Sequence, residues 1–414
     1  MAVPRLAIVV SHPIQYFSPW FKHLAAQPDL QVKVFYLWDF GVEARYDPAF
    51  GHSIQWDIPM LDGYEYAFVP NHSANPGTHH FRGLNNPGLV AALRTWSPNV
   101  ILLFGYNYPS HLRVLLSWHL RNIPLLLRGD SHDLSRSPGW KTQLARYVRS
   151  LLFRRFDGFL AVGKANADYF RNCGVPDDRV FFTPHCVDNA RFQAATSQAA
   201  KDAIAWRAEL GIPADALVVL FAGKFEPKKR PQDLLNAFEK ACNALPSADP
   251  SPVLLFVGSG VLEDQLGALA GDRLGRTVFF APFQNQSHMP RVYATGDLLV
   301  LPSYGVGETW GLAVNEAMNL GRPTIVSSHV GCGPDLVVPG ETGWIFEAGN
   351  INALAGDLVK ALSTGRKGLA LMGQEARTRV RGYSYEAATA GLRATLDRLL
   401  ENAAGAAPDP KGHA

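Results

Sequence analysis

The sequence predicts an α/β protein with two Rossmann-like domains, each built on a parallel sheet. The chain has 414 residues, whereas one domain usually has about 100–200. Short apolar, β-branched segments alternate with helical patterns, which is typical of strands buried on both faces of a parallel sheet. The alternation stops near residue 188 and starts again near residue 216. We therefore expect two domains of the same architecture, with their sheets facing each other across a cleft.

The first domain is predicted to span residues 1–190. Its N-terminal apolar run is short and ends at Ser11-His12-Pro13, so we interpret it as a strand rather than as a signal peptide. A helical stretch follows near Pro19–Ala26. The predicted buried strands of this domain are 5–10, 32–38, 99–104, 123–128, 159–162 and 180–183.

The second domain is predicted to span residues 191–382 and begins with an Ala-rich, polar segment that carries no strand pattern. A strong helix follows it at 384–400, and the small, polar segment 401–414 is predicted to be disordered. The predicted strands of the second domain are 216–223, 253–260, 277–283, 297–303 and 323–328.

The composition excludes several classes of protein. With 47% hydrophobic and 18% charged residues, the chain is neither disordered nor a coiled coil. A net charge of +3 gives no case for nucleic-acid binding. The four cysteines are widely spaced, which predicts free thiols in a reducing cytosol. No apolar run reaches the roughly 18–20 residues that cross a bilayer, so a cytoplasmic protein is expected.

One motif places two carboxylates around the start of a helix. The segment Glu308-Thr309-Trp310-Gly311-Leu312-Ala313-Val314-Asn315-Glu316 follows a buried strand and a Gly-rich turn. A helix that begins near Trp310 or Gly311 would leave Glu308 just before its first turn, where exposed N–H groups favour an anion. Glu316 would lie within an apolar helix and would need hydroxyl partners. The alternative is a capping acid plus a structural acid.

A basic segment follows the first strand of the second domain. Four cations, Lys224, Lys228, Lys229 and Arg230, lie within seven positions directly after that strand. Point charges at this edge of a sheet would hold a diphosphate. The alternative is a solvated basic turn.

Together the two motifs resemble the retaining glycosyltransferases of family four, which have the GT-B fold. Glu308 and Glu316 match the ends of the E-x7-E motif, and Lys224 and Lys229 match the phosphate-binding Arg-x4-Lys pair, with Lys in place of Arg. The resemblance extends to the base-framing stretch 278–303, to the end of the first domain with His185-Cys186 in place of Asn-Gly, to 333–350, and to Tyr383–Glu386 at the start of a helix that crosses back to the first domain.

This resemblance implies transfer of a sugar from a nucleoside-diphosphate donor with retention of configuration, through attack on the same face and proton removal assisted by a donor phosphate oxygen. The second domain would bind the donor and the first domain, with helix 383–400, the acceptor. No metal or cofactor is expected, and the sequence has no Asp-x-Asp. The implied roles are sugar contact by Glu308, diphosphate neutralisation by Lys224 and Lys229, ribose binding by Glu316, base framing by Phe283, and backbone contacts from Thr309, Trp310, Gly311 and Leu312.

The first domain offers weaker candidates for the cleft. His12 and Gln15 follow the first strand and either reach the cleft or are turn residues. The family often has a cleft histidine after a later strand, where Asp130 and His132 both fit; we carry His132 as the catalytic candidate. Lys164 is a further candidate.

The segment Lys141–Phe156 has five basic and no acidic residues, interleaved with apolar ones. It is interpreted either as an ordinary surface helix or as an amphipathic helix that rests on anionic lipid at the inner face of the plasma membrane. The expected acceptor is a glycan or a lipid-linked molecule. The nucleotide base, the sugar and the acceptor stay open, as do two other functions: a nucleotide-sugar epimerase and a non-catalytic sugar-nucleotide binding protein.

Overall fold

The computed structural model describes residues 3–43, 45–47, 52–136, 139–246 and 250–405. It contains two parallel sheets, of seven and six strands, each covered by helices. The predicted fold class is therefore confirmed. The last helix extends to Gly405, and the part of the predicted disordered tail beyond it, 406–414, lies outside the described residues.

All strands of the larger sheet come from the first 182 residues. Two further short strands, β3 and β4, pair only with each other as an antiparallel hairpin. The strands of this half are β1 (Arg5–Val10), β2 (Gln31–Tyr36), β3 (Arg45–Asp47), β4 (His52–Ile54), β5 (Glu65–Phe68), β6 (Val100–Phe104), β7 (Leu125–Gly129), β8 (Gly158–Ala161) and β9 (Val180–Phe182). The order in the sheet is β5-β2-β1-β6-β7-β8-β9.

The second sheet repeats this plan. Its strands are β10 (Val218–Ala222), β11 (Val253–Val257), β12 (Val278–Ala281), β13 (Leu298–Leu301), β14 (Thr324–Ser327) and β15 (Gly343–Phe346). Their order is β12-β11-β10-β13-β14-β15, with parallel pairing throughout.

Helices connect the strands and cover both sheets. None of them, within the described ranges, is long and apolar enough to cross a membrane. The helices are α1 (Ser18–Ala25), α2 (Leu89–Trp96), α3 (Pro109–Leu116), α4 (Trp140–Phe153), α5 (Lys164–Asn172), α6 (Asn189–Ala194), α7 (Thr196–Glu209), α8 (Pro231–Ala244), α9 (Glu263–Ala270), α10 (Met289–Thr295), α11 (Leu312–Asn319), α12 (Gly333–Leu336), α13 (Ile351–Val380, interrupted at Gly365) and α14 (Tyr385–Gly405).

The sequence pattern identified the central strands and missed the marginal ones. Strands β1, β10 and β11 are almost fully buried, so their sequences are continuously apolar. Strands β5 and β15 were not predicted, because they have only four residues each and are partly exposed. The hairpin β3–β4 was also missed, and its strands have three residues each.

The C-terminal helix α14 packs against the first sheet. Ala388, Leu392 and Leu396 lie in the same apolar cluster as Ile8 of β1. The indole Nε1 of Trp20 donates a 3.2 Å hydrogen bond to the hydroxyl of Thr389. The chain therefore returns to its first half after completing the second.

Each sheet has a point at which the strand order reverses. In the first sheet this point lies between β1 and β6, and in the second between β10 and β13. Ligands of open α/β sheets bind in the crevice beyond the carboxyl ends of the strands at such points. A ligand site is therefore expected at the residues that follow β10 and β13.

Candidate active site between the two domains

The basic segment and the acid motif meet where the strand order of the second sheet reverses. Lys224 follows β10, and Lys229 ends the short turn Pro227–Lys229. Glu308 belongs to the loop after β13. The Nζ of Lys229 forms an ion pair with Oε2 of Glu308, and both side chains are largely buried. Lys224 precedes Lys229 in the same basic segment, is half-buried and has an interaction partner of its own.

The loop that carries Glu308 is fixed by hydrogen bonds on several sides. The hydroxyl of Ser303 donates to Oε2 of Glu308 at 2.8 Å. The backbone N–H groups of Gly331 and Cys332 donate to the carbonyls of Glu308 and Trp310, at 3.2 and 2.9 Å. The acid therefore sits on a rigid loop, which is what precise contact with a ligand requires.

Two glycines make this loop possible. Gly311 has φ +100°, a conformation that disfavours other residues, and a Cβ there would lie 2.9 Å from Leu301 and Val330. A Cβ on Gly331 would lie 1.8 Å from the carbonyl oxygen of Thr309. The backbone of the acid motif can therefore lie directly against its neighbour.

Helix α11 begins at Leu312, one or two residues later than predicted, with Gly311 before its first turn. The backbone N–H groups of Thr309, Trp310, Gly311 and Leu312 donate no hydrogen bond to any described residue. Such N–H groups at a helix start attract anions. Trp310 contributes only its backbone, because its buried indole donates to Asn315 Oδ1 at 2.8 Å.

Both Asp130 and His132 of the first domain contact the acid motif, although the sequence left open which of the two lines the cleft. Asp130 accepts a 2.7 Å hydrogen bond from the hydroxyl of Thr309. His132 lies 3.2 Å from the carbonyl oxygen of Glu308. The two domains are thus joined directly at the motif.

The geometry around His132 fixes which ring nitrogen carries the proton. The backbone N–H of Leu134 donates to Nδ1 at 3.2 Å, so Nδ1 is an acceptor. Nε2 must then carry the hydrogen and donate it to the carbonyl of Glu308. Burial lowers the pKa of His132, which favours this neutral form.

Asp130 has a second partner that the sequence did not reveal. The Nε2 of His185 lies 3.7 Å from Oδ2 of Asp130, and its ring stacks on Phe17 at 5.7 Å. Burial would raise the pKa of Asp130, but the nearby imidazole of His185 and the hydrogen bond from Thr309 outweigh it and lower that pKa to about 2. Asp130 is therefore a carboxylate. It lines a cavity of about 150 Å³, with Ser11 and His185, beyond β1, β6 and β7.

Glu316 lies deep in α11 and is 1% exposed. Its Oε2 accepts a 2.6 Å hydrogen bond from the hydroxyl of Tyr293. Burial raises its pKa to about 7, although Tyr293, Arg191 and Gln286 partly oppose this. Glu316 also lines a cavity of about 170 Å³ with Gln15 and Tyr16 of the first domain. Glu316 therefore meets the gap at a different place from Glu308.

Phe283, for which the resemblance implies a role in framing the base, faces the first domain. Its ring lies 6.4 Å from that of Trp56, edge to face. Next to it, Asn285 donates to the carbonyl of Gln55 at 2.6 Å and Ser287 N–H donates to Asp57 at 3.1 Å. The loop 55–57 therefore closes one end of the gap. Among the described residues, no group of three His, Cys, Asp or Glu side chains is placed to hold a metal ion.

The remaining candidates of the first domain have other surroundings. His12 accepts or donates a 3.0 Å hydrogen bond with Ser11 and lies edge-on to Trp38. Lys164 begins α5, and its backbone N–H donates to the carboxylate of Asp335 at 2.9 Å. This bond ties the start of α5 to the second domain, so Lys164 lies at the contact between the domains.

Sequence reasoning missed the residues that support the site. Ser303, His185 and Tyr293 each hold one of its carboxylates. The substitution of His185-Cys186 for Asn-Gly was the only sequence signal for His185. Ser303 and Tyr293 have no local pattern, because only the folded chain brings them to Glu308 and Glu316.

Comparison with known proteins covers most of the chain. Residues 202–379 match the family described as "Glycosyl transferases group 1", and residues 21–186 match "Glycosyl transferase 4-like domain". The chain is 34% identical over 206 residues, 48% of its length, to a D-inositol 3-phosphate glycosyltransferase of Mycobacterium leprae. The match spans 46% of that relative, less than half of its length.

Two solved structures are similar over nearly the whole chain. Anabaena Alr3699/HepE in complex with UDP and glucose gives a TM-score of 0.69 at 18% identity, covering 95% of this chain and 100% of that one. Sucrose-phosphate synthase of Thermosynechococcus elongatus gives 0.69 at 20% identity, covering 97% and 100%. These structures show the GT-B fold, and the two family matches, which together cover most of the chain, show that it belongs to the group 1 glycosyltransferases of family four.

Proposed function

We propose that this protein transfers a sugar from a nucleoside-diphosphate donor to a glycan or lipid-linked acceptor, with retention of configuration and without a metal ion. The observation that carries the proposal is the Lys229–Glu308 ion pair, which lies beyond β10 and β13 where the strand order reverses. An acid for the sugar and a cation for the phosphate are thus adjacent. The product would serve polysaccharide or glycoconjugate biosynthesis.

The donor diphosphate competes with Glu308 for Lys229. A diphosphate carries more charge than one carboxylate, so it draws the ammonium group away from Glu308. Lys224 and the N–H groups of Thr309–Leu312 supply the other contacts. The exchange frees Glu308 to accept hydrogen bonds from hydroxyls of the donor sugar.

Catalysis follows from charge that develops on the diphosphate. As the bond from the sugar to the phosphate breaks, negative charge grows on the leaving oxygen, and Lys224 and Lys229 stabilise it more strongly than in the ground state. The acceptor hydroxyl attacks the same face, and a donor phosphate oxygen takes its proton. Lys224 and Lys229 would neutralise the charge on the leaving diphosphate, which is the role of a metal ion in metal-dependent transferases. This supports a metal-independent reaction.

Two findings favour uridine diphosphate as the first donor to test. The similar Anabaena protein was solved with UDP and glucose, and another of its structures holds UDP-glucose. Phe283 would frame the base, and Glu316 would bind the ribose hydroxyls once Tyr16 and Tyr293 make room.

The exposed surface of helix α4 supports the proposal that the protein contacts a membrane. Five apolar side chains lie on one stripe of this helix, at spacings of 4, 7, 8 and 11 residues from the first, and are 45–70% exposed. The stripe consists of Trp140, Leu144, Tyr147, Val148 and Leu151. An outward-facing apolar stripe with exposed cations at both ends, Lys141 and Arg154, fits the headgroup region of an anionic membrane.

Flotation with vesicles tests this contact. The protein should float with phosphatidylglycerol vesicles at low salt and less so at high salt. A variant with Leu144→Ser and Leu151→Ser should lose flotation, whereas Leu116→Ser, at an exposed leucine outside α4, should retain it. Absence of flotation by the wild type contradicts membrane contact, and salt-dependent self-association through α4 would assign the stripe to a second copy instead.

Turnover tests the main proposal. A thermal-shift screen of nucleoside diphosphates and their sugars identifies the donor, and product analysis with and without an acceptor follows. Glu308→Ala should abolish transfer while leaving nucleotide binding largely intact. Isomerised donor without an acceptor would indicate an epimerase, and tight binding without turnover would indicate a binding protein.

A further inference from the structure

A wide opening of the first domain lies at the carboxyl ends of β2 and β5. It has a volume of about 590 Å³, and its lining includes Trp38, Asp39, Glu43, Phe68 and Pro70. None of these residues belongs to the donor site described above. Because ligands of parallel sheets bind at the carboxyl ends of the strands, the position is suited to a substrate.

The floor of this cavity is rigid. The buried amide of Asn86 donates hydrogen bonds to the carbonyls of Leu37 and Val69, at 3.0 and 2.7 Å, where β2 and β5 end. Its own oxygen accepts from the hydroxyl of Ser110 at 2.8 Å. A floor held in this way is preorganised, which reduces the cost of binding.

One wall is aromatic. The ring of Trp38 stacks on Phe40 at 4.6 Å with an interplanar angle of 22°, and His12 meets it edge-on at 5.9 Å. These contacts hold the indole in place while leaving it half-buried. A fixed aromatic face is a platform for the C–H face of a sugar ring.

The polar side chains of the cavity select for hydroxyl groups. Glu43 contributes an exposed carboxylate and Asp39 a second one that also has an interaction partner of its own, and no Lys, Arg or His is found among the described lining residues. Carboxylates accept hydrogen bonds from hydroxyls and repel phosphate or carboxylate groups. The amide of Asn71 is already engaged with Gly83, Ser73 and Asn85, so it shapes the wall rather than binding a ligand.

The cavity borders the donor site. A Cβ on Gly41, in the loop between Asp39 and Glu43, would lie 3.8 Å from the indole of Trp56. Trp56 in turn contacts Phe283 of the base-framing stretch. On the other side, His12 connects Trp38 to Ser11, which lines the small cavity with Asp130. These contacts connect the cavity to Phe283 on one side and to the small cavity of Asp130 on the other.

We propose that this cavity is the acceptor subsite and that it takes an uncharged, hydroxyl-rich sugar ring, stacked on Trp38 with hydroxyls donated to Asp39 and Glu43. This inference rests on the proposed transferase function. It excludes a phosphorylated ring from this subsite. An anionic part of the acceptor must lie elsewhere, and a second opening that shares the loop 70–76 offers cationic and histidine side chains, His72, His80, Arg82 and Arg113.

Saturation-transfer NMR with UDP bound tests the subsite. The probes are methyl glycosides of glucose, mannose, galactose and N-acetylglucosamine, with glucose 6-phosphate and mannose 6-phosphate as charged counterparts. At least one neutral glycoside should receive saturation at its ring C–H protons. Trp38→Ala should weaken its binding about tenfold, or about 1.4 kcal/mol, and Trp38→Phe much less. Trp118→Ala, at an exposed tryptophan away from the cavity, should change nothing.

Glu43→Gln is an independent test at an exposed position, where folding is not at risk. This variant should bind the neutral glycoside more weakly, because a hydrogen-bond acceptor is lost. It should bind the sugar phosphate more tightly, because one charge that repels the phosphate is lost. Binding of sugar phosphates in preference to neutral glycosides, or equal binding by wild type and Trp38→Ala, overturns the inference. If the wild type binds UDP but no neutral glycoside, the subsite alone fails. If no nucleoside diphosphate binds, the transferase proposal fails.

Discussion

Lys229 and Glu308, 79 positions apart in the chain, form an ion pair where the strand order of the second sheet reverses. A pair of this kind satisfies both charges when no ligand is present, and it must separate when a phosphate takes the lysine. In the proposed function, the ion pair couples donor binding to the release of Glu308. This coupling leads to the first prediction.

Only the removal of Lys229 should weaken nucleotide binding; the removal of Glu308 should not. Lys229→Met should weaken UDP binding about 10- to 100-fold, because a charged contact of about 1.5–3 kcal/mol is lost. Glu308→Gln should leave UDP binding unchanged or tighten it several-fold, because the competing carboxylate is gone. Isothermal titration calorimetry measures both constants.

Glu226 provides the matched control for this measurement. It lies in the same turn and pairs with Lys228 at 3.2 Å rather than with Lys229. Glu226→Gln should leave UDP affinity within about twofold of the wild type, as a surface ion pair of this kind is worth little. Equal tightening by Glu226→Gln and Glu308→Gln would mean that only net charge matters and would contradict the exchange.

His132 should be neutral and protonated on Nε2 at pH 7. Leu134 N–H occupies Nδ1, and the carbonyl of Glu308 accepts the proton of Nε2. Burial lowers the pKa of His132, so the ring takes up a second proton only at a pH below its ordinary range. Long-range ¹H–¹⁵N NMR distinguishes the tautomers, with His132→Gln used to assign the signal. An Nδ1-protonated ring would contradict the hydrogen-bond pattern.

Thr309 should link the acid loop to the first domain through its hydroxyl. Thr309→Val removes the 2.7 Å hydrogen bond to Asp130 and keeps the shape of the side chain. We expect a loss of about 1–3 kcal/mol of transition-state stabilisation, or about 5- to 150-fold in kcat, while UDP affinity stays nearly constant. Thr309→Ser should restore most of the rate. If valine and serine give the same rate, the hydroxyl has no role in positioning the loop.

Glu316 should make stability depend on pH near neutrality. Burial raises its folded pKa from 4.5 to about 7, so the folded state retains a proton that the unfolded state loses. The stabilisation is complete below about pH 4.5 and is lost as pH rises through about 7. Relative to Glu316→Gln, the wild type should lose up to about 3 kcal/mol over this interval. Urea unfolding at several pH values measures the free energy of unfolding of both proteins. If this free energy changes with pH in the same way in wild type and Glu316→Gln, the pKa of Glu316 is near its ordinary value.

Much of the fold was predictable because buried parallel strands leave a strong local signal. Continuous apolar segments such as Val218–Ala222 and Val253–Val257 need no context to be recognised. The edge strands β5 and β15 were not predicted: both have only four residues and are partly exposed, and β5 begins with the polar residues Glu65 and Tyr66. The start of α11 was placed one or two residues early, because Gly311 takes a left-handed conformation before the helix.

The sequence by itself determined the two sheets, the order of their strands along the chain, and the chemical types of Glu308, Lys224 and Lys229, since periodicity, residue type and spacing are local properties. Only the tertiary structure decided which of these groups meet. Lys229 pairs with Glu308, both Asp130 and His132 reach the acid motif, and His185 accompanies Asp130. Those contacts join residues from different strands and different domains, and their distances are set by the packing of the two sheets rather than by any segment of the chain.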